Sequence, residues 1–164
     1  MMDTPDVTRR EMLATALRVL AAGSLAGAML PTRARASEVP LALTVYKDPS
    51  CGCCAKWVTY MRENGFAPNV TDRTDMAALK DSIGIPVALR SCHTALAGKY
   101  LIEGHVPAGD VMRLLATAPR GVLGLAVPGM PSGSPGMEGP ARADQYSVIA
   151  FAADGSTSVF ARHG

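Results

Sequence analysis

Three of the four cysteines in this chain of 164 residues lie within four positions, as Cys51-Gly52-Cys53-Cys54. A disulfide inside so short a segment closes almost no loop, so it removes little conformational entropy from the unfolded chain. The cluster therefore indicates a reactive or metal-binding site rather than a structural disulfide. Such chemistry is favoured where a strand turns into a helix and unpaired backbone groups are available.

The segments around the cluster predict a strand before it and a helix after it. Leu41 to Tyr46 is almost wholly apolar, which suits a short strand buried on both faces. From Cys54, the residues Val58 and Met61 continue one apolar stripe. Gly65 stands where a helix would end in a left-handed residue. The cluster then lies on the first turn of the helix, where unpaired N–H groups and the helix dipole stabilise thiolates.

Downstream, the sequence alternates between strand and helix patterns. We expect a strand over Asn69 to Thr71 and then a helix over Met76 to Ile83 that is capped by Thr74. A hairpin follows, with strands over Thr94 to Ala97 and Tyr100 to Glu103. The last predicted element of this part is a helix over Pro107 to Leu115. With the first strand and helix, this is the order of an α/β, thioredoxin-like domain with a mixed sheet and flanking helices. A redox or metal site of that fold lies at the start of its first helix.

The last third of the chain is less regular. Pro119 to Asp144 contains a stretch, Pro128 to Pro140, with four prolines and four glycines, which predicts a long loop rather than an element. Tyr146 to Phe151 and Thr157 to Ala161 flank Asp154-Gly155 and predict a β-hairpin. We expect this C-terminal hairpin to add two strands to the sheet or to cover one of its faces.

The first 36 residues carry the pattern of an export signal. Arg9-Arg10 precedes a mildly apolar run from Leu13 to Leu30, and Ala34-Arg35-Ala36 offers small residues at the spacing of a signal-peptidase site. The paired arginines predict the twin-arginine route, with the general secretory route and a retained membrane anchor as alternatives. We therefore expect residues 1–36 to be removed and residues 37–164 to act in the periplasm as a single domain.

The charge of the remaining chain excludes some classes of partner. Of the 16 basic and 14 acidic residues, five and three lie in the first 36 positions, which leaves 11 of each. A neutral chain with one tryptophan has no electrostatic footprint for nucleic acid and few rings to stack on bases. We expect no nucleic-acid partner, and no stable membrane span after signal removal.

The third cysteine of the cluster distinguishes between two kinds of thiol chemistry. A dithiol oxidoreductase would use Cys51 and Cys54, and Cys53 beside them would scramble the disulfide. A metal site gains from the additional sulfur, and thiolates favour Cu(I), zinc or iron–sulfur clusters. The ligand spacings of structural zinc and of iron–sulfur sites are both missing. Cu(I), which accepts low coordination numbers and bridging thiolates, fits the pattern best, and several ions could share these sulfurs.

The segment Ser91-Cys92-His93-Thr94 supplies the remaining cysteine together with a histidine. In a thioredoxin-like fold this loop packs against the start of the first helix, so Cys92 and His93 are expected beside Cys51 to Cys54. They would add a fourth sulfur and an imidazole nitrogen to the metal site. The alternative interpretation makes Cys92 a buried small hydrophobic residue and His93 a solvated loop residue.

Three further residues form a second group of candidate copper ligands. His105 precedes the helix at Pro107, where it is a ligand, a helix cap or a solvated residue. Met130 and Met137 lie in the Pro/Gly loop, where their thioethers either bind Cu(I) or hold the loop on the core.

Five segments resemble the motifs of one known family, namely Val45–Cys54, Ser91–Thr94, Glu103–Pro107, Gly124–Pro131 and Gly133–Glu138. From about Leu41 to Ala161 the chain resembles the CopG-type family of thioredoxin-like periplasmic copper-resistance proteins, long catalogued as a domain of unknown function. The resemblance implies a domain that binds several Cu(I) ions in a sulfur-bridged cluster, for copper handling or for redox interconversion of copper. By position, the family's cysteine and Cys-His motifs fall on Cys51, Cys53, Cys54, Cys92 and His93, and its other motifs contain Met130, Met137 and His105.

One position departs from ordinary thioredoxins and glutaredoxins. They place a cis-proline where this chain has Cys92-His93, so the position offers ligands here instead of a substrate-binding backbone. The expected function is therefore an exported protein that binds copper for copper resistance, with copper ions and other envelope copper-handling proteins as partners. The alternatives are a periplasmic thiol–disulfide oxidoreductase that uses Cys51 and Cys54, and a scaffold in which the four cysteines form two bridges.

Overall fold

The computed structural model describes residues 39–140 and 142–164. The predicted signal segment, residues 1–36, lies outside this part of the chain, so its export and its removal stay predictions. The expectation that residues 37–164 form a single metal-binding domain likewise stays a prediction.

Seven strands and three α-helices make up the regular structure of the described residues. In chain order they are β1 (Leu41–Lys47), α1 (Gly52–Glu63), β2 (Phe66–Asp72), α2 (Met76–Ser82), β3 (His93–Ala97), β4 (Tyr100–Glu103), α3 (Ala108–Thr117), β5 (Val122–Ala126), β6 (Tyr146–Ala152) and β7 (Thr157–His163). A short 3₁₀ turn over Val87–Leu89 precedes β3.

The strands form one mixed sheet in the order β2-β1-β3-β4-β5-β6-β7. β1 pairs with β2 and β4 pairs with β5 in parallel, whereas the other neighbouring strands are antiparallel. The predicted α/β, thioredoxin-like mixed sheet with flanking helices is therefore confirmed. The predicted C-terminal hairpin forms β6 and β7, which extend one edge of the sheet.

The sequence interpretation missed one strand. Val122–Ala126 lies in the segment predicted to be irregular, yet it forms β5 between β4 and β6. Its Gly124 resembles a strand breaker, but a Cβ at this position would lie 2.1 Å from the Leu101 carbonyl oxygen. The glycine lets two strands approach closely, and a local pattern does not reveal such a tertiary requirement. The Pro/Gly segment Pro128–Pro140 contains no strand or helix, as predicted.

Two local predictions are wrong. β1 is not buried on both faces, since only every second residue from Leu43 to Lys47 is fully buried. Helix α2 begins after Asp75 rather than after Thr74, and no side chain caps it. The Asp75 carboxylate instead accepts a hydrogen bond from the Arg73 guanidinium at 2.7 Å.

The sheet carries apolar clusters on both faces. The larger cluster includes the apolar stripes of α1 and α3, formed by Trp57, Val58, Met61, Val111 and Leu114. The smaller cluster consists of Ile85, Leu89, Leu101, Ala126 and Phe151. Because the neighbours Leu101 and Ile102 belong to different clusters, the two clusters lie on opposite faces of β4. Helix α1 is thus anchored along its length, and its first turn is held at one end of the sheet.

Replacing Gly124 by alanine tests the close approach of β4 and β5. The added Cβ would lie 2.1 Å from the Leu101 carbonyl oxygen and 2.8 Å from the Phe151 ring, so the strands must separate. Overpacking costs about 1–3 kcal/mol of unfolding free energy. Because the added Cβ would contact backbone, which cannot move aside as a flexible side chain can, we expect a loss of about 3 kcal/mol. Chemical denaturation measures this loss.

The matched control is Gly109→Ala. A Cβ at this position in α3 has no atom within 4 Å, so the substitution should change the unfolding free energy by less than about 1 kcal/mol. Equal stabilities for the two variants would contradict the strand contact.

Candidate metal centre

Three cysteines lie at the start of α1, a few residues after the end of β1 at Lys47. The Cys51 backbone N–H donates to the Asp48 carbonyl at 3.1 Å, and Cys51 is the N-cap of the helix. The Cys51 sulfur in turn accepts the Cys54 backbone N–H at 3.4 Å. Cys51 is half-buried and Cys54 is fully buried. The cluster thus lies where the N–H groups of a helix terminus favour negative charge on sulfur.

Cys51 and Cys54 form a disulfide, whereas Cys53 and Cys92 are free thiols. The interpretation with two structural bridges is therefore wrong. The bridge joins residues three apart, so it contributes little by restricting the unfolded chain. Reduction converts its two sulfurs to thiols, and the site therefore has an oxidised and a reduced form.

The Cys92 sulfur lies beside the cluster on α1. Cys53 Sγ is 3.5 Å from Cys51 Sγ and 3.9 Å from Cys92 Sγ. All four sulfurs lie within 4.8 Å of one another, although 39 positions separate Cys53 from Cys92. The structure thus brings together the two sulfur-bearing segments that the sequence analysis expected to meet. Reduced sulfurs at such distances can share metal ions as bridging thiolates.

Two buried histidines approach the Cys92 sulfur from other sides. His93 Nδ1 lies 3.4 Å and His105 Nε2 lies 3.1 Å from Cys92 Sγ, and both rings are fully buried. Cys92, His93 and His105 therefore form a second group of potential ligands within 4.8 Å of one another. The alternatives of a solvated His93 and of a solvated or capping His105 are wrong. Cys92 belongs to both groups.

The environment of His105 fixes which ring nitrogen faces the sulfur with a lone pair. Its Nδ1 lies 2.8 Å from the Pro135 carbonyl oxygen, which only accepts hydrogen bonds, so Nδ1 carries the proton. In the neutral ring, Nε2 then has its lone pair directed at Cys92. Metal-binding histidines are commonly oriented by such a bond to a carbonyl group. His93 Nε2, by contrast, is buried without a hydrogen-bond partner among the described residues.

Burial sets the protonation states of these ligands. The pKa of the Cys92 thiol is raised to about 11, mainly by burial and to a smaller extent by the neighbouring Cys53. Burial also holds the pKa of His93 well below its ordinary value, with smaller contributions from His105 and Lys80. The pKa of His105 is lowered for the same main reason. At neutral pH the rings are therefore neutral and can donate lone pairs, whereas Cys92 must lose a proton before it binds a metal.

The Pro/Gly loop lies against the site through its backbone. A Cβ on Gly136, whose φ is +85°, would lie 2.9 Å from the Cys53 carbonyl oxygen. The Gly129 carbonyl accepts a hydrogen bond from the Ser91 hydroxyl. Met137 and Met130 directly follow these two glycines; Met137 is half-buried and Met130 is exposed. Their roles as ligands stay predictions.

Sequence reasoning missed the residues that lie behind the ligands. Trp57 Nε1 donates to the Val106 carbonyl at 3.0 Å, and its ring centroid lies 4.4 Å from that of His93. Lys80 and Glu103 form a buried ion pair that also includes Thr94. An available signal was that Glu103 is the one charged residue in the short strand β4. Lys80 gives no such signal, because a lysine in a helix is ordinarily exposed.

Two solved structures are similar to the chain over most of its length. Each is described as copper resistance protein CopG, in form 2 and in form 1, and each is 42% identical to this chain. The alignments cover 76% of this chain and 99% and 98% of the two solved chains, with TM-scores of 0.72 and 0.71. The chain belongs to the CopG family. The resemblance predicted from the sequence is therefore confirmed.

A protein family of unknown function, DUF411, matches residues 89–137 of this CopG family member. The matched stretch contains Cys92, both site histidines and the loop methionines. Among curated proteins, none matches the chain. In the part of the chain that the structure describes, no helix combines the length and the apolar character needed to cross a bilayer.

The buried neutral rings make the stability of this CopG family member sensitive to acid. The pKa values of His93 and His105 lie below their ordinary value of 6.5. As the pH falls below about 6.5, the unfolded chain takes up protons that the folded chain does not. The unfolding free energy therefore falls, by up to about 1.4 kcal/mol per pH unit for each histidine. Denaturation of the metal-free protein between about pH 7.5 and about pH 4.5 measures this slope.

His105→Gln separates the histidine contribution from that of the carboxylates. The variant lacks one of the two buried rings, so its stability should depend less steeply on pH than that of the wild type. Identical slopes for the two proteins would contradict the prediction.

Proposed function

We propose that this chain is a copper-binding protein of the bacterial envelope that takes up Cu(I) for copper resistance. The proposed ligands are Cys51, Cys53, Cys54, Cys92 and His93, with His105, Met130 and Met137 as additional candidates. The observation that carries the proposal is the position of Cys92 Sγ, which belongs both to the group of four sulfurs and to the group with two imidazoles. Membership of a family whose solved members are copper resistance proteins supports it.

The donor atoms favour Cu(I) over other metals. Thiolates, thioethers and imidazoles are the soft and borderline ligands that suit Cu(I), and no carboxylate belongs to either group. A structural zinc site would use four ligands in a closed tetrahedron. Here five donors surround the shared Cys92 sulfur, an arrangement that instead suits two or more ions joined by bridging thiolates.

Copper capacity should depend on the redox state of the cluster. With the Cys51–Cys54 disulfide intact, the cysteine thiols that remain as donors are those of Cys53 and Cys92. Two electrons and two protons from a reductant convert the bridge to two thiols, which then lose their protons on binding copper. The reduced protein therefore offers four cysteine thiols and the oxidised protein two. Oxidation of the two thiols to the disulfide releases two electrons and two protons, which balances the reduction of two Cu(II) ions to two Cu(I) ions.

The cellular setting follows from the export signal predicted over residues 1–36. A twin-arginine signal would deliver residues 37–164 to the periplasm, where other envelope copper-handling proteins would supply or accept the ion. Nucleic acid is not among the proposed partners.

Anaerobic titration of the reduced mature protein with Cu(I) tests the proposal. We expect more than one Cu(I) per chain, and a lower stoichiometry when the disulfide is left intact. Fluorescence of Trp57, the one tryptophan of the sequence, should be quenched because its ring centroid lies 4.4 Å from that of His93. Cys92→Ser should weaken binding by more than about 100-fold, which exceeds the range for residues that only orient a ligand.

His163→Gln is the matched control for the histidine ligands, because His163 binds Asp110 instead of a cysteine. We expect His105→Gln to weaken Cu(I) binding and His163→Gln to leave it unchanged. Fewer than one Cu(I) per reduced wild-type chain would end the proposal. Unchanged binding after Cys51→Ser combined with Cys54→Ser would also contradict it.

The second candidate function is thiol–disulfide exchange on envelope proteins. The difference in burial between Cys51 and Cys54 favours it, because a substrate thiolate can reach Cys51 more easily. Its attack on Cys51 Sγ would form a mixed disulfide and release Cys54 as a thiolate. A second substrate thiolate would then release Cys51 and complete a substrate disulfide, so that two electrons pass to the protein.

This candidate predicts that reduced protein with both Cys53→Ser and Cys54→Ser accumulates a mixed disulfide between Cys51 and one half of a test disulfide, because the Cys54 thiol and the Cys53 thiol 3.5 Å away are both gone. Mass spectrometry detects that adduct. Cys92→Ala should leave turnover of the wild-type pair intact. A failure of the double variant to trap any adduct, together with no turnover by the wild type, would exclude the candidate.

A further inference from the structure

A buried ion pair lies directly behind the segment that carries Cys92 and His93. The Glu103 side chain is fully buried and that of Lys80 is 4% exposed. The Lys80 ammonium donates to the Glu103 carboxylate and to Thr94 Oγ1, the latter at 2.9 Å. Desolvating two charges is costly, and apolar residues of similar volume are often at least as stabilising. The pair therefore calls for a role other than stability.

The partners of the Glu103 carboxylate flank the two ligands. One oxygen, Oε1, accepts the backbone N–H of Ser91 at 2.7 Å. The other, Oε2, accepts the hydroxyl of Thr94 at 2.6 Å. Cys92 and His93 are the two residues between these contacts. One carboxylate thus holds both ends of the ligand segment.

On the side of Cys92 the other support comes from the Pro/Gly loop, where the Gly129 carbonyl accepts the Ser91 hydroxyl and the Gly129 N–H donates to the Arg90 carbonyl at 3.3 Å. β3 begins only at His93, and the residues between the 3₁₀ turn and β3 have no regular structure. On the other side, the Gly104 backbone N–H donates to the His93 carbonyl at 2.9 Å. Glu103 and Gly104 therefore fix Cys92-His93 relative to His105, which follows one residue later. Glu103 and Gly104 thus link the three ligands Cys92, His93 and His105.

We propose that Glu103 is a positioning residue of the metal centre, whose carboxylate clamps Ser91 and Thr94 so that Cys92 and His93 meet His105, with Lys80 balancing its charge. This inference rests on the proposed copper binding. It assigns the clamp no contact with copper itself.

A purely structural role is the competing explanation. Lys80 is the one fully buried residue of helix α2, so the ion pair also attaches that helix to the sheet. A structural role would make copper affinity follow overall stability. If Glu103 positions the ligands, its loss should change Cu(I) binding more than the loss of another buried carboxylate does.

The test compares Glu103→Gln with Asp110→Asn in the reduced mature protein. Asp110 is also a buried carboxylate, and it binds Arg113 at 3.0 Å and His163 at 2.7 Å, away from the cysteines. Cu(I) affinity is measured by competition with a chelator, and the ratio of nitrogen to sulfur ligands is measured by X-ray absorption. We expect Glu103→Gln to bind Cu(I) about 10–100-fold more weakly, with fewer nitrogen ligands, and Asp110→Asn to bind within about twofold of the wild type.

Two results would overturn the clamp. One is a Cu(I) affinity of Glu103→Gln within about twofold of the wild type. The other is an equal loss in both variants, which would show that affinity only follows stability. If Glu103→Gln does not fold, Thr94→Val decides, because it removes one end of the clamp and keeps the ion pair. It should weaken Cu(I) binding about tenfold, and unchanged binding would overturn the inference.

A readout without copper separates this inference from the proposed function. Nitrogen NMR of the metal-free reduced protein reports the tautomers and environments of the imidazole rings. Glu103→Gln should shift the ring signals of His93, and Asp110→Asn should not. If the wild type binds no Cu(I), the proposed function fails, and these spectra still test whether Glu103 positions His93. Unshifted ring signals in Glu103→Gln would overturn it.

Discussion

The antiparallel pairing of β1 with β3 is the constraint on which the site depends. Lys47, the last residue of β1, lies opposite His93, the first residue of β3. The chain that leaves β1 enters the cysteine turn, and the chain that enters β3 has just passed Cys92. The register of one strand pair thus brings both sulfur-bearing segments to the same end of the sheet. A slip of one residue would turn the His93 side chain to the opposite face of the sheet, away from the Trp57 ring on α1.

Much of the fold and part of the site could be predicted from sequence, because local signals coincide with the tertiary arrangement. The apolar stripe through Val58 and Met61 faces the core, and Gly65 ends the helix region with a φ of +83°. The turn at Gly98-Lys99 fixes the hairpin that follows the ligand segment. Once these elements follow the thioredoxin-like order, topology alone predicts that Cys92 lies near the first turn of α1.

The remaining features depend on contacts that leave no local trace. His105 is buried because a carbonyl of the aperiodic loop, that of Pro135, accepts its Nδ1 proton. Gly124 occurs where two strands approach, so its sequence signal resembles that of a loop. Lys80 is buried only because a carboxylate from another strand neutralises it. Whether a polar residue becomes a ligand, a support or a surface group is decided by the partner it meets after folding.

The shared sulfur has a consequence for how the centre fills. In the proposed copper centre, the first ion to bind would bear the free-energy cost of removing the Cys92 proton, because the pKa of that thiol is raised to about 11, mainly by burial. A second ion finds the thiolate already formed and the imidazoles already oriented. Loading should therefore be cooperative, and a half-saturated population would consist mainly of empty and filled molecules. The protein would then respond to copper over a narrow range of concentration, as a threshold device does, instead of as a graded buffer.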